Sequence, residues 1–282
     1  MHSKVSVPII DFHITHNCNL TCESCSDFTN HGHSRMISLE EGRLWMGNWN
    51  NRIQPKQFIL LGGEPTLHKN LIDFLYLSRE MWGDTYIKLT TNGFFLHTHN
   101  NLGEALKENN INLSLSIHSK SKDYINRIKD NLKLCLKWKN ELGINVSVNT
   151  THEYWTQIYK GYGENILPFE DNNAEASWNN CFMEGTCFQL HEGMIWKCPP
   201  LAYLPLMAKK YKLSEKWDPY LKYKPLDPNC NQDQIIEFFN RKSESVCSMC
   251  PAHKNYIHNT KNPLMSVKES EDLFKNQFIK FD

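Results

Sequence analysis

Six short, nearly continuous apolar runs separated by helical stretches restrict this chain to a layered α/β architecture. The runs fall at 8–15, 57–61, 86–91, 111–117, 144–149 and 164–168. Strands covered on both faces have this character, because neither face needs polar residues. Helical patterns lie between them, at 38–50, 69–82, 100–109, 121–142 and near 153–161. The first opens with Ser38 and Glu41, the spacing of a capping box. Six strand–helix units in this order predict a parallel sheet.

Beyond about residue 170 the pattern changes, and cysteine, proline and aromatic residues become dense. The clearest element there is a hairpin over Cys187–Cys198 with Glu192 and Gly193 as its two-residue turn. In that register Cys187 and Cys198 face each other, with Cβ atoms roughly 5 Å apart, a separation that suits two ligands of one metal centre. Helices are expected at 201–211 and 232–241, then the pair Cys247 and Cys250. The last thirty residues are polar and carry no pattern. The expected organisation is a barrel-like unit over 1–170 and a smaller cysteine-rich unit over 171–282.

The chain of 282 residues balances 31 basic against 31 acidic side chains, which removes the electrostatic case for nucleic acid or a membrane surface. No run approaches the roughly 18 apolar residues of a membrane helix, and the N-terminus lacks an apolar signal core. The expected compartment is the cytoplasm. Ten cysteines in a reducing compartment point to metal binding or catalysis rather than to a disulfide framework. Their grouping, three early and six after residue 180, points to two separate sites.

Cys18, Cys22 and Cys25 follow the first apolar run and so sit at the carboxyl end of a predicted strand, where barrel enzymes keep their chemistry. Three thiolates are one short of the four that close a zinc or iron–sulfur site, leaving a coordination position vacant. Half of a zinc site completed by His16 or His31 is the simpler alternative. The second run leads into Gly62, Gly63, Glu64 and Pro65. Glycines there allow a ligand close to the backbone, and Glu64 offers an acceptor to an amine.

The Cys-x3-Cys-x2-Cys loop followed by Gly-Gly-Glu-Pro resembles the radical S-adenosylmethionine enzymes, and Asn19 and Leu20 agree with that family. Ser24 departs from it, standing where an aromatic residue usually packs near the adenine. The resemblance implies a partial (β/α)6 TIM-like barrel. It implies a [4Fe–4S] cluster on Cys18, Cys22 and Cys25 whose fourth iron chelates S-adenosylmethionine, with Gly62, Gly63, Glu64 and Pro65 at the methionyl ammonium. Asn92, Ser116, His118 and Asn149, at the ends of the third to fifth runs, become candidate cofactor contacts; ordinary turn and surface chemistry is the competing account of them.

The C-terminal cysteines resemble the auxiliary-cluster appendage called the twitch or SPASM domain, through Gly193-x4-Cys198 and Cys247-x2-Cys250. The resemblance implies one auxiliary [4Fe–4S] cluster. The expected ligands are Cys187, Cys198, Cys247 and Cys250, with Cys181 as the alternative first ligand, and a structural zinc on the same thiolates is the competing reading. Cys135 is expected in the core. A thiol left over from the cluster, Cys181, Cys187 or Cys230, could donate a hydrogen atom. The expected activity is reductive cleavage of S-adenosylmethionine and hydrogen-atom abstraction from a small polar metabolite such as a sugar, cyclitol or aminoglycoside-like alcohol, giving oxidation or epimerisation. An electron donor such as flavodoxin or ferredoxin is implied as partner. Modification of a peptide is the second expectation, and a non-catalytic iron–sulfur or zinc-binding protein the third.

Overall fold

A computed structural model describes residues 3–119, 121–150 and 154–258. Most of the patternless C-terminal tail, from residue 259, therefore lies outside the described residues. The chain forms β1 (Val5–His13), α1 (Leu39–Gly47), β2 (Ile53–Leu61), α2 (Leu71–Trp82), β3 (Tyr86–Thr91), α3 (Leu102–Glu108), β4 (Ile111–Ile117), α4 (Lys122–Lys137) and β5 (Val146–Thr150). Then come β6 (Tyr154–Thr156), α5 (Ala174–Asn179), β7 (Phe188–His191), β8 (Met194–Trp196), α6 (Pro199–Lys210), α7 (Asp218–Leu221), α8 (Gln232–Asn240) and β9 (Tyr256–His258). The sheet order is β5-β4-β3-β2-β1-β7-β8. Strands β1 to β5 pair in parallel, as the alternation of runs and helices predicts. This is the α/β partial barrel.

Alternation along β1 sorts its side chains. Phe12 packs edge-on to Trp45 of α1 and against Phe58 and Phe74, while Ile10 and Ile14 join the same core beneath the helices. Asp11 and His13 therefore face the opposite side, the lumen of the barrel. The capping box of α1 is formed, with Ser38 Oγ accepting from Glu41 N and Glu41 accepting from Ser38 N. Cys135 is fully buried in the α4 face of the core, as expected.

The sixth strand is where the structure departs from the reading by runs. Residues 164–168 form no strand; their one ladder contact is the isolated Lys160–Leu167 bridge. The helix expected near 153–161 is instead β6, paired antiparallel with β9 in a separate two-stranded sheet. The strand on the far side of β1 is β7, which runs parallel to it with Asp11 opposite Gln189. It belongs to the C-terminal hairpin, whose turn at Glu192 (φ 52°) and Gly193 (φ 77°) has the two positive φ angles of a type I′ turn. An apolar run cannot announce which edge of a sheet it will join. Phe188 packs on Phe238 and Phe239 beneath α8, so β7 shares the core of the parallel sheet. A second core, around Tyr203, Trp217, Tyr220 and Met249, binds α6, α7 and the Cys247–Cys250 segment together.

The β1–β7 junction is also polar. Gln189 Nε2 donates to Asp11 Oδ2 at 3.0 Å, and Tyr203 Oη donates to Gln189 Oε1 at 2.8 Å. Burial pushes the Asp11 carboxyl up to about 7, against the hydrogen bond from Gln189. A folded-state value above the ordinary 3.8 means that the folded protein binds more protons between 3.8 and about 7, so stability falls as pH rises through that window. The slope from this group is at most about 1.4 kcal/mol per pH unit. Asp11→Asn should therefore flatten the pH dependence, narrowing the gap between melting temperatures at pH 5 and pH 7.5; an unchanged gap would show that Asp11 is not its source.

Candidate active site

The loop after β1 is held against the loop after β2 by backbone contacts that leave no room for side chains. Gly63 N donates to Thr15 O at 2.9 Å and Glu64 N donates to Asn17 O at 2.8 Å. A Cβ on Gly62 would stand 2.6 Å from Thr15 O, and one on Gly63 2.4 Å from Asn17 O. The two glycines thus admit the cysteine loop itself, and they also line the cavity beside it. That cavity, of about 410 Å³, is walled by Cys18, Cys22, Cys25, Gly62, Gly63, Glu64, Asn92, Ser116 and His118 among others. It lies at the carboxyl ends of β1 to β4.

Glu64 is fully buried. Its Oε1 accepts from Thr66 N (3.0 Å), Thr66 Oγ1 (2.5 Å) and Thr91 Oγ1 (2.6 Å), and its Oε2 from Asn92 N (2.7 Å). Burial pushes its carboxyl up, while these four bonds oppose the shift. The carboxylate therefore clamps the end of β2 to the end of β3, and Oε2 keeps acceptor capacity for a ligand. Asn92 extends the clamp, with Nδ2 donating to Asn19 Oδ1 at 2.7 Å. Pro65 opens the short 3-10 turn that Glu64 caps.

The three thiols are buried or half-buried in one wall. Burial pushes Cys18 up to about 12 and Cys25 up to about 11, and it raises Cys22 with added repulsion from the other two. Cys22 Sγ lies 3.4 Å from His118 Nδ1, and burial lowers that histidine to about 4. Such thiols are poor anions until a metal replaces their protons. Ser24 adopts the left-handed region at φ 53°, and its Oγ accepts from Ile158 N at 2.9 Å, so the small residue anchors the cysteine loop to the β6 segment. Asn149 stays out of the cavity wall and donates to Ser114 Oγ at 2.9 Å. Asp27 was missed by the sequence reading although it lines the cavity. Two residues beyond Cys25, it carries no motif that would mark it.

The C-terminal cysteines form a second group. Cys181, Cys198, Cys247 and Cys250 line one cavity of about 30 Å³ with Lys197 and Trp178. Cys187 is not in that lining. The strand ladder ends at Gln189 and Trp196, and Cys198 leaves it as the N-cap of α6, which begins at Pro199. The expected set had Cys187 in the place that Cys181 holds in this lining. Burial and the neighbouring sulfurs raise Cys198 and Cys250. Lys197, buried over Trp178 and paired with Glu244 at 2.9 Å, supplies positive charge at this wall. Among the described residues no three His, Cys, Asp or Glu side chains are drawn together closely enough for a single metal ion. A polynuclear cluster spaces its thiolates more widely than one ion does, so the first cysteine group, on the wall of a cavity of about 410 Å³, fits a cluster.

A parallel partial barrel with three cysteines on its first loop, opposite a glycine-walled cavity, defines a class of enzyme built to hold an iron–sulfur cluster next to a small cofactor. The profile of the Radical SAM superfamily matches residues 12–171, and the chain belongs to that family. The family implies a [4Fe–4S] cluster and S-adenosylmethionine. A GTP 3',8-cyclase of Campylobacter fetus is 30% identical over 150 residues, 49% of this chain and 44% of that protein. A GTP 3',8-cyclase of Nautilia profundicola is 28% identical over 220 residues, 72% of this chain and 64% of that protein. The chain thus spans less than two thirds of either relative. The crystal structure of BtrN in complex with AdoMet and 2-DOIA superposes with a TM-score of 0.53 at 14% identity, covering 88% of this chain and 94% of that one. That likeness concerns the fold.

The Glu64 clamp has a measurable consequence. Glu64→Ala leaves buried donors on Thr66, Thr91 and Asn92 without an acceptor, at about 1–3 kcal/mol each. The apo variant should melt well below the parent and bind S-adenosylmethionine more weakly, whereas Asn149→Ala should change stability by less than about 0.5 kcal/mol. Equal melting of the Glu64 variant and the parent would remove the clamp.

Proposed function

We propose that this protein is a radical S-adenosylmethionine enzyme acting on a small polar metabolite, with Cys18, Cys22 and Cys25 holding its cleaving cluster. The cavity shared by these cysteines, Gly62, Gly63 and Glu64 carries the reading. When bound, the cluster and S-adenosylmethionine supply a 5′-deoxyadenosyl radical that removes a hydrogen atom from an unactivated carbon. The protein's part is to bind, orient and exclude water. Gly62 and Gly63 open the backbone to the methionyl group, Glu64 Oε2 takes its ammonium, and Asn92, Ser116 and His118 line the path of the nucleoside. Asn149, held by Ser114, drops out of this set.

The size of the cavity supports a small substrate over a peptide. About 410 Å³ sits near the lower end of the roughly 300–1,000 Å³ of small-molecule sites, and the cofactor must share it. The names of the sequence relatives also point to a small molecule, since both are GTP 3',8-cyclases. Oxidation or epimerisation is the reaction type we favour, with a flavodoxin or ferredoxin as electron source and the cytoplasm as compartment. Among the described residues no helix is long and apolar enough to cross a membrane.

For the second site we propose one auxiliary [4Fe–4S] cluster on Cys181, Cys198, Cys247 and Cys250 in a C-terminal twitch-like unit, leaving Cys187 free. A structural zinc on the same four thiols is the second reading, and it requires them to draw closer together than they stand. Metal analysis separates the two. Anaerobic reconstitution should give about eight iron atoms per chain, four per cluster. Cys181→Ala should lower iron to about four and lower the melting temperature of the C-terminal region, because metal binding there is also folding energy, while Cys187→Ala should keep about eight. Four iron atoms plus one zinc in the parent would establish the zinc reading.

Dithionite-reduced protein should cleave S-adenosylmethionine slowly to 5′-deoxyadenosine without added substrate. Cys22→Ala should abolish that cleavage while retaining the auxiliary metal. Cleavage surviving in Cys22→Ala would refute the assignment of the first cluster.

A further inference from the structure

Between Cys25 and the surface stands one tight turn of backbone. Phe28 N donates to Cys25 O at 3.1 Å, and Thr29–His31 form a single 3-10 turn whose three residues are buried. Thr29 meets the cysteine, with Oγ1 3.3 Å from Cys25 Sγ, and lines the cavity. The same turn is covered from outside by side chains of the surface. The His31 ring stacks on Tyr162 with centroids 4.4 Å apart, and Tyr162 Oη donates to Asn30 O at 3.0 Å. Tyr162 is 56% exposed. Lys210, the last residue of α6, donates from Nζ to His31 O and, at 2.9 Å, to Gly32 O. A path from exposed side chains to the cysteine wall therefore crosses only this turn.

That surface is basic. His33, Ser34, Arg35, Leu206, Lys209 and Lys210 line an open recess of about 250 Å³, and no acidic side chain is among them. The charge of Arg35 is taken up by Glu41 at 3.1 Å and Glu192 at 2.8 Å. Lys209 and Lys210 are exposed, and among the described residues neither has a carboxylate within ion-pair distance. The recess continues toward Tyr162, because the Lys210 ammonium lies 5.6 Å from the Tyr211 ring centroid and that ring lies 6.0 Å from His31. The formal charges of the whole chain cancel. Two uncompensated lysines beside tyrosine rings therefore make a local surface for an acidic partner, not a general attraction for anions.

We infer that this face, with Lys209 and Lys210 at its centre and Tyr162 and Tyr211 beside them, is where an acidic one-electron carrier protein docks to reduce the cluster of the cysteine loop. The inference deepens the proposed function and rests on it for the need of an electron. A cavity of about 410 Å³ admits small molecules and no protein, so a carrier has to approach the cysteines from outside the barrel. The turn after Cys25 is the part of the loop that this face covers. One electron leaves the reduced carrier, which is oxidised by one, and arrives at the cluster; no bond forms or breaks. Electron-transfer encounters lie at the small end of protein interfaces, so a patch of two lysines and two tyrosines is sufficient. The bonds from Lys210 to the turn tie the docking face directly to the segment that carries Cys25.

The test uses the full-length, anaerobically reconstituted protein loaded with S-adenosylmethionine, and an acidic flavodoxin as the probe. Calorimetry should detect binding that weakens about tenfold between about 20 and 200 mM salt, as attraction between exposed charges does. Lys209→Glu should weaken that binding about tenfold at low salt and slow reduction of the cluster by reduced flavodoxin to a similar degree. Reduction by dithionite, which needs no docking, should change by less than about twofold in the same variant. Lys107→Glu, in the last turn of α3 at the amino end of the sheet, makes the same change of charge away from the cysteine loop and should leave every readout within about twofold. Melting temperature and iron content check that each variant is intact. Flavodoxin binding and flavodoxin-driven reduction that survive Lys209→Glu, or an equal loss in Lys107→Glu, overturn the inference. Displacement of flavodoxin by inorganic phosphate at an ionic strength where chloride has no effect also overturns it, by assigning the recess to a small anion. Flavodoxin binding that is lost in Lys209→Glu, in a protein that dithionite does not bring to cleave S-adenosylmethionine, would uphold the docking face and sink the proposed function.

Discussion

The backbone of the cysteine loop lies so close to Gly62 and Gly63 that a methyl group at either position would collide with a carbonyl oxygen. Everything at the carboxyl end of the sheet depends on that contact. It sets the three thiols beside the ends of β2 and β3. It also brings Glu64 N onto Asn17 O and Asn92 Nδ2 onto Asn19 Oδ1. The Glu64 carboxylate then locks the arrangement from below, accepting four hydrogen bonds from two strand ends while fully buried. A carboxylate so bonded is stable in the interior, where an unpaired one would be expelled or protonated. The result is a preorganised cavity whose wall is mostly backbone and short side chains.

The Glu64 side of this cavity and the lumen beside β1 differ in electrostatic completeness. On the β2–β3 side, Glu64 accepts three hydrogen bonds on Oε1 and one on Oε2. In the lumen beside β1, among the described residues, neither Asp11 nor Asp27 has a lysine or arginine within ion-pair distance, and burial keeps His13 well below its ordinary value. Packing on the opposite face of β1 backs these groups. Phe12, Trp45, Phe58 and Phe74 make up that packing, directly behind the same strand.

Much of this was legible in the chain. The alternation of apolar runs with helices carried the parallel sheet, the capping box at Ser38 held, and the positive φ pair at Glu192 and Gly193 appeared where a two-residue turn was expected. The Cys-x3-Cys-x2-Cys and Gly-Gly-Glu-Pro segments were found next to one another. Asn149 illustrates a limit. Its place at the end of the fifth run suggested a cofactor contact, and in the structure its Nδ2 donates to Ser114 Oγ at 2.9 Å. Choice of rotamer on a strand end leaves no trace in a one-dimensional pattern.

Local covalent and propensity rules are written into neighbouring residues, so the sequence by itself determined the βα alternation, the thiol spacing on the first loop, and the family to which the chain belongs. Two features were decided only by tertiary structure: β7 pairing with the free edge of β1, and Cys181 lining one small cavity with Cys198, Cys247 and Cys250. Each brings together groups far apart along the chain or reached through a change of direction, such as the turn into α6 at Pro199. Non-local pairings are chosen by the burial and hydrogen bonding of whole elements. A pattern of period two or 3.6 tells which face of an element is buried, but not against which partner.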